Sequence, residues 1–392
     1  MKYVYANNAA TMHMKPETIK AISDYMNDTD GNPSSLDAYG KKARNTVEKC
    51  REKIARACGC ATDEMFFTSG GSESNNLAIR GALLKKQNMR FPNIVTVPTE
   101  HESVLRTARN VIYYPFYGEV KYAPVDAFGL VKTRDVIELI DERTACVSVS
   151  VCNNELGVIQ DIGAIYDQIL SIGENRPLFH VDAVQGMAHL PYDSFTGKCD
   201  MFSYSGHKIG APKGIGGIYV SRYAQDRVAP QITGGNQELG MRAGTENTMG
   251  IVGLAAALEH HTQEDNEHVS YLTNMLYEKL IDIDNSQINT FYKDLSVPGI
   301  INISFKGIEA EALLIALEQN GILVSAGSAC AAATHDPSHV LEAIGLSDEF
   351  KYGTIRISLG DSNTEEEVEY IAETLPKVVH TLRFIGAGVR EI

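Results

Sequence analysis

At residues 178–208 the chain reads LFHVDAVQGMAHLPYDSFTGKCDMFSYSGHK. Two short apolar runs lie in it, Leu178–Asp182 and Met201–Tyr204, each with the length of a buried strand. Both lead into ionisable residues. Asp182 closes the first, and Ser203-Tyr204-Ser205-Gly206-His207-Lys208 carries the second into the Gly-rich stretch Gly210–Gly217. The same texture extends outward in both directions, from about Pro16 to Leu258. Further strand candidates are Asn93–Val97, Ala145–Val151 and Gly217–Ser221, interspersed with amphipathic or polar stretches at Ser72–Gln87, Val104–Val111, Arg134–Asp141 and Ile162–Ser171. Nearly continuous apolar strands alternating with helices predict an α/β domain on a mostly parallel sheet. Ligands of such sheets sit beyond the carboxyl ends of the strands, so chemistry is expected just after each run.

A length of 392 residues exceeds one ordinary core and predicts two or three domains. Thirty-five Lys and Arg against fifty Asp and Glu leave a net charge of −15. That charge repels nucleic-acid phosphates and anionic lipid, so neither nucleic acid nor a membrane is an expected partner. The longest apolar stretch, Met249–Leu258, stops at Glu259, short of the roughly 18 residues of a membrane helix. Seven cysteines, at 50, 58, 60, 146, 152, 199 and 330, form no disulfide pattern and suggest a reducing compartment. The opening MKYVYANNAATMHM has neither an apolar signal core nor an Arg-rich transit character, and a cytoplasmic location is expected.

After Leu258 the texture changes. A long polar stretch with helical apolar spacing at Leu272, Leu276 and Leu280 bridges to a second domain. Strands are predicted near Ile300–Phe305, Ile322–Val324 and Thr354–Leu359. Ala310, Leu313, Leu314 and Leu317 form a helical stripe that Gly321 caps in left-handed conformation. Thr364-Glu365-Glu366-Glu367 is a capping box, opening a helix with Val368, Ile371 and Leu375 on one face; Pro376 is expected to kink or interrupt it.

Several polar groups admit two readings each. Lys208, beside Ser and His after a strand, fits a Schiff-base lysine with phosphate-holding neighbours, or a solvated loop lysine. Asp182, with Gln185 three residues on, fits a partner for a protonated pyridine nitrogen, or a helix N-cap. Thr68–Asn76 supplies small residues and a helix N-terminus suited to a phosphate, or simply to a capped helix. It lacks the lysine of a nucleotide P-loop, which favours a smaller phosphorylated cofactor. Thr99-Glu100-His101 and Asn153-Asn154-Glu155 place further polar groups at the sheet rim. Cys330, among small residues, is a solvent-reachable nucleophilic thiol or a small buried hydrophobe. Arg356 interrupts an apolar strand; facing inward it needs a partner such as a substrate carboxylate, and facing outward it needs none. Cys58-Gly59-Cys60 lacks a second pair at zinc spacing, so no metal is expected, and His260-His261 reads as a solvated helix face.

In this order, these elements resemble the cysteine desulfurases of NifS and IscS type, within the class V aminotransferase group of fold-type I pyridoxal-phosphate (PLP) enzymes. The resemblance runs from Tyr5-Ala6-Asn7-Asn8-Ala9-Ala10-Thr11 through Gly31-Asn32-Pro33-Ser34-Ser35 to Ser358-Leu359-Gly360. Its most specific pieces are Ser205-Gly206-His207-Lys208, Asn153-Asn154-Glu155-Leu156-Gly157, Gly244-Thr245-Glu246-Asn247 and Gly327-Ser328-Ala329-Cys330. It implies a large PLP-binding domain at 15–257 with a mostly parallel seven-stranded sheet. Residues 1–14 and 258–392 would form a smaller α/β domain carrying the catalytic Cys330.

By the same resemblance Lys208 would carry pyridoxal 5′-phosphate, Asp182 would pair with its ring nitrogen, and Gln185 and Asn154 would hydrogen-bond its ring hydroxyl. His101 would stack over the ring and help move protons. Gly71, Ser72, Ser205 and His207 would hold the phosphate, with Thr245 supplied by the second subunit of a homodimer. Arg356, with Asn154, would bind the carboxylate of L-cysteine. Cys330 would take the sulfur as a persulfide, releasing L-alanine, and pass it to an acceptor such as an iron–sulfur scaffold protein. The chain departs from the family pattern at Asn7, Asp37, Ser72, Leu239 and the stretch Ala331–Asp336. A selenocysteine lyase or a class V aminotransferase is the alternative enzyme. A scaffold without turnover is the alternative outside enzymes, and the joint presence of Lys208, Asp182, His101, Cys330 and Arg356 stands against it.

Overall fold

The computed structural model describes residues 3–28, 31–86, 88–113, 115–290, 295–327 and 337–389. A short strand, β1 (Val4–Tyr5), precedes helices Pro16–Asp28 and Ala38–Cys58. Asp37 caps the second of these, its Oδ1 accepting the Gly40 N–H at 2.8 Å. Seven strands follow: β2 (Met65–Thr68), β3 (Asn93–Thr96), β4 (Glu119–Tyr122), β5 (Thr144–Ser150), β6 (Leu178–Asp182), β7 (Met201–Ser205) and β8 (Gly216–Val220). They form one sheet in the order β2-β8-β7-β6-β5-β3-β4. Pairing from β7 through to β4 is parallel, while β8 runs antiparallel to both its neighbours. The sheet is therefore the mostly parallel one predicted, with the five expected strands ending within one residue of their predicted bounds; β2 and β4 are additional.

Every residue of β5, β6 and β7 is buried, because helices cover both faces of the sheet. Val147, Val149, Phe179 and Val181 pack with helix Ile162–Ser171 through Ile162, Ile165 and Ile169. The alternate residues Cys146, Leu178 and Met201 pack on the other side with Leu77, Ile79 and Leu83 of helix Gly71–Lys85. One imidazole ties three strands together: His180 Nδ1 lies 2.8 Å from Ser148 Oγ and its Nε2 lies 2.9 Å from Ser203 Oγ. Burial pulls His180 down to about 3, so the ring is neutral.

A second core gathers Leu272, Leu276 and Leu280 with β9 (Ser286–Ile288), β10 (Ile300–Phe305), β11 (Ile322–Leu323) and β12 (Thr354–Ser358). Strands β12, β10 and β9 form an antiparallel sheet in that order, whereas β11 pairs in parallel with β1. The first strand thus joins the C-terminal core, and Val4 and Ala6 are buried in it. Gly321 adopts φ +76° after helix Ala310–Gln319, and the Thr364–Glu367 capping box forms. Of the two outcomes expected at Pro376, interruption does not occur: the helix runs from Glu365 to Val389. The burial of Val368, Ile371, Leu375 and Val379 on either side holds the helix together across the missing N–H. His261 also departs from the solvated-face reading: its Nε2 is buried with no partner among the described residues. Among the described residues no helix is long and apolar enough to cross a membrane.

Candidate active site

The residues that follow β3, β5, β6 and β7 converge on a cavity of about 290 Å³. Lys208 lies on a tight turn, Gly206–Ile209, which begins as β7 ends and closes at Gly210 with φ +76°. Its Nζ donates to the carbonyls of Ala9 at 2.6 Å and Ala10 at 2.9 Å. Gln185 Nε2 reaches the same Ala9 carbonyl at 3.0 Å, so the segment after β1 lies against the site. Asp182, the last residue of β6, is not a helix N-cap. Its Oδ1 accepts the Val184 N–H at 3.0 Å, and its Oδ2 accepts from Asn75 Nδ2 at 2.7 Å.

His101 caps helix Glu102–Arg109, its Nδ1 accepting the Ser103 N–H at 3.1 Å. Burial lowers its pKa, outweighing the opposite pull of the Asp182 charge. Beside it, Glu100 is fully buried. Its Oε1 accepts the Ser150 N–H at 2.6 Å and its Oε2 has no partner among the described residues. Burial, reinforced by Asp182, pushes this carboxyl up to about 8.

At the other end of the cavity stands the N-terminus of helix Gly71–Lys85, with Ser72, Ser205 and His207 lining the space. A side chain at Gly71 would meet Val184 Cγ2 at 2.6 Å, so only glycine leaves this corner open. His207 Nδ1 is buried without a partner among the described residues, and burial beside Lys208 brings its pKa down to about 4. Arg356, on β12, faces inward and is 2% exposed. Its Nη1 donates to the Asn154 carbonyl at 2.7 Å and its Nη2 to Asn7 Oδ1 at 3.2 Å, while its Nε has no partner among the described residues. No carboxylate among the described residues forms a direct ion pair with it, and burial lowers its pKa to about 10 against the opposite pull of the Glu155 charge. A buried guanidinium at a cavity wall with no carboxylate in direct contact is a site for an anion.

The aminotransferase class-V family model matches residues 4–371. A cysteine desulfurase IscS from Clostridium botulinum is 41% identical over 391 residues, covering 97% of this chain and 96% of its own. The chain belongs to the class-V aminotransferase family, among its cysteine desulfurases. A solved structure described as a NifS-like protein superposes with a TM-score of 0.88 at 34% identity, covering 97% of this chain and 100% of that one. Another, SspA in complex with cysteine, gives a TM-score of 0.79 at 33% identity, covering 92% and 99%.

Of the residues that the desulfurase resemblance singled out, Gly71, Ser72, His101, Asn154, Asp182 and Gln185 line this one cavity, together with Ser205, His207, Lys208 and Arg356. Thr245 is exposed and does not line the cavity of its own chain. Cys330 lies outside the described residues. Sequence reasoning missed Asn75 and Ser103, which also line the cavity, and the carbonyls of Ala9 and Ala10. A carbonyl carries no side-chain signal. Asn75 lies within the quoted stretch Thr68–Asn76, and a polar residue one turn inside a phosphate-suited helix was the available clue. Of the departures, Asn7 receives Arg356, and Leu239 is 79% exposed at φ +54°. Its neighbour Glu238 anchors that loop by a buried pair with Arg51, at 2.6 and 2.8 Å.

Proposed function

We propose that the chain is a pyridoxal-phosphate-dependent cysteine desulfurase that converts L-cysteine to L-alanine and takes the sulfur as a persulfide on Cys330. The observation that carries this reading is the convergence of Lys208, Asp182 and His101 with the inward guanidinium of Arg356. The residues present fit pyridoxal 5′-phosphate: an orphaned His207 Nδ1, a corner at Gly71 that a Cβ would fill, and the Asp182 carboxyl and Lys208 amine on the same cavity. In that fit Lys208 would hold the aldehyde, Asp182 the ring nitrogen, and Gln185 and Asn154 the ring hydroxyl. His101 would cover the ring, and Gly71, Ser72, Ser205 and His207 would hold the phosphate. When bound, the cofactor supplies the electron sink that makes the Cβ–S bond of cysteine breakable.

Arg356 binds the substrate carboxylate through the donors it does not spend on Asn154 and Asn7. Lys208 Nζ takes the α-proton, and the Ala9 and Ala10 carbonyls stabilise the ammonium that results. The Cys330 thiolate forms the S–S bond as the Cβ–S bond breaks, and a proton replaces sulfur on Cβ. One cysteine and one thiol give one alanine and one persulfide. The choice of Cys330 is supported by the other thiols. Burial pushes all six described cysteines up, including Cys152, which lines the cavity.

The same reading takes 15–257 as the cofactor-binding domain and 1–14 with 258–392 as the smaller one, supported by the β1–β11 pairing. It includes a homodimer, supported by the exposed Thr245, whose place in the site would be taken by the partner subunit's Thr245. A cytoplasmic enzyme feeding an acceptor such as an iron–sulfur scaffold protein completes it. The test is alanine and sulfide formation from L-cysteine by the wild type, Lys208→Ala and Cys330→Ser. Wild type is expected to make both and each variant neither. Alanine formed at the wild-type rate by Cys330→Ser contradicts the proposal.

A further inference from the structure

Along the cavity wall runs a hydrogen-bonded chain that none of the roles above requires. Asn75 Nδ2 lies 2.7 Å from Asp182 Oδ2 and 2.9 Å from Ser103 Oγ. Ser103 Oγ in turn lies 2.7 Å from His101 Nδ1, which also accepts the Ser103 backbone N–H at 3.1 Å. Donor capacity runs the chain in one direction. A carboxylate only accepts, so the Asn75 amide nitrogen must face Asp182, and its second hydrogen goes to Ser103 Oγ. The hydroxyl then has its own hydrogen to give to His101 Nδ1. The backbone N–H fixes the outcome, because it can only donate. Nδ1 receives both donors and carries no hydrogen, which leaves the proton of the neutral ring on Nε2.

We propose that Asn75 and Ser103 are positioning residues that lock His101 in the Nε2–H tautomer, presenting an N–H donor to the cavity and opposing protonation at Nδ1. The charged and titratable groups around His101 act in both directions. Asp182 and Glu102 favour the imidazolium; Lys208 and His339 oppose it, as does burial. The lock adds a geometric bias to that balance: protonating Nδ1 would set its hydrogen against the Ser103 backbone N–H and force the Ser103 hydroxyl to turn from donor to acceptor. Asp182 is thereby connected to His101 through the Asn75 and Ser103 side chains. The use of this N–H in proton movement rests on the desulfurase reading, whereas the tautomer itself does not.

The experiment is nitrogen-15 NMR of the full-length holoenzyme labelled at histidine, with the His101 signals assigned by their loss in His101→Gln. Wild type is expected to show a protonated Nε2 and a bare Nδ1. Ser103→Ala is expected to raise the His101 titration midpoint by roughly half to one pH unit, since one of two donors to Nδ1 is lost. Ser103→Thr, which keeps the hydroxyl, restores it. A wild-type ring carrying its proton on Nδ1, or a midpoint unmoved in Ser103→Ala, overturns the proposal even in an active enzyme. An inactive enzyme with the Nε2–H ring would overturn the desulfurase reading and leave the lock standing.

Discussion

Arg356 donates in the interior to two neutral acceptors, the Asn154 carbonyl and Asn7 Oδ1, while the Glu155 charge favours its ionised form; under the proposed function it takes the substrate carboxylate. A lysine at this position retains charge but loses the planar fork. Arg356→Lys is predicted to raise KM for L-cysteine about 30-fold or more with a smaller effect on kcat, as read by steady-state kinetics. Glu100 makes a separate claim. Its carboxyl titrates near 8 in the fold against an ordinary 4.5, so the folded chain binds the extra proton between those values. Its contribution to stability is complete below pH 4.5 and is lost as pH rises through 8. Glu100→Gln removes that loss, and its unfolding midpoint is predicted to overtake the wild type above pH 8 in thermal denaturation. Single residues were legible in sequence where they follow a strand, as Asp182 and Lys208 do. Asn75 was not, because it stands among Ser72, Glu73, Ser74 and Asn76, and the sequence does not mark which of these polar residues faces inward.

Among the elements, β5, β6 and β7 were legible because burial on both faces demands continuous runs of apolar and small residues. Strand β4, at the sheet edge with partly exposed Glu119–Tyr122, carries no such demand, and β2 is the short strand at the opposite edge. The helix N-terminus at Gly71 is open because glycine leaves it open. Gly71→Ala pushes a methyl towards Val184 and is predicted to weaken pyridoxal-phosphate retention about tenfold or more, measured by dialysis and absorbance. Helix Glu365–Val389 absorbs Pro376 at the cost of one backbone hydrogen bond, which the sequence rule against interior proline could not weigh against the packing. Pro376→Ala is predicted to stabilise the chain by about 1–3 kcal/mol in denaturant unfolding, with activity unchanged.

For the whole molecule, two cores meet at the site: the central sheet supplies Lys208, Asp182 and His101, and the C-terminal core supplies Arg356. The segment after β1, whose strand pairs with β11, delivers Ala9 and Ala10 to Lys208, a long-range arrangement that no local sequence pattern announces. The proposed sulfur acceptance by Cys330 belongs to this scale as well, because Cys152 is a second cysteine at the cavity. Cys152 lines the cavity, but its thiol is buried beside Asp182 and held protonated. The decisive measurement is peptide mass spectrometry after a single turnover of the holoenzyme with L-cysteine in the absence of reductant. The account predicts one added sulfur atom on the peptide containing Cys330, retained in Cys152→Ser and absent in Cys330→Ser. Added sulfur on the Cys152 peptide instead, or alanine release with no persulfide on Cys330, would contradict it.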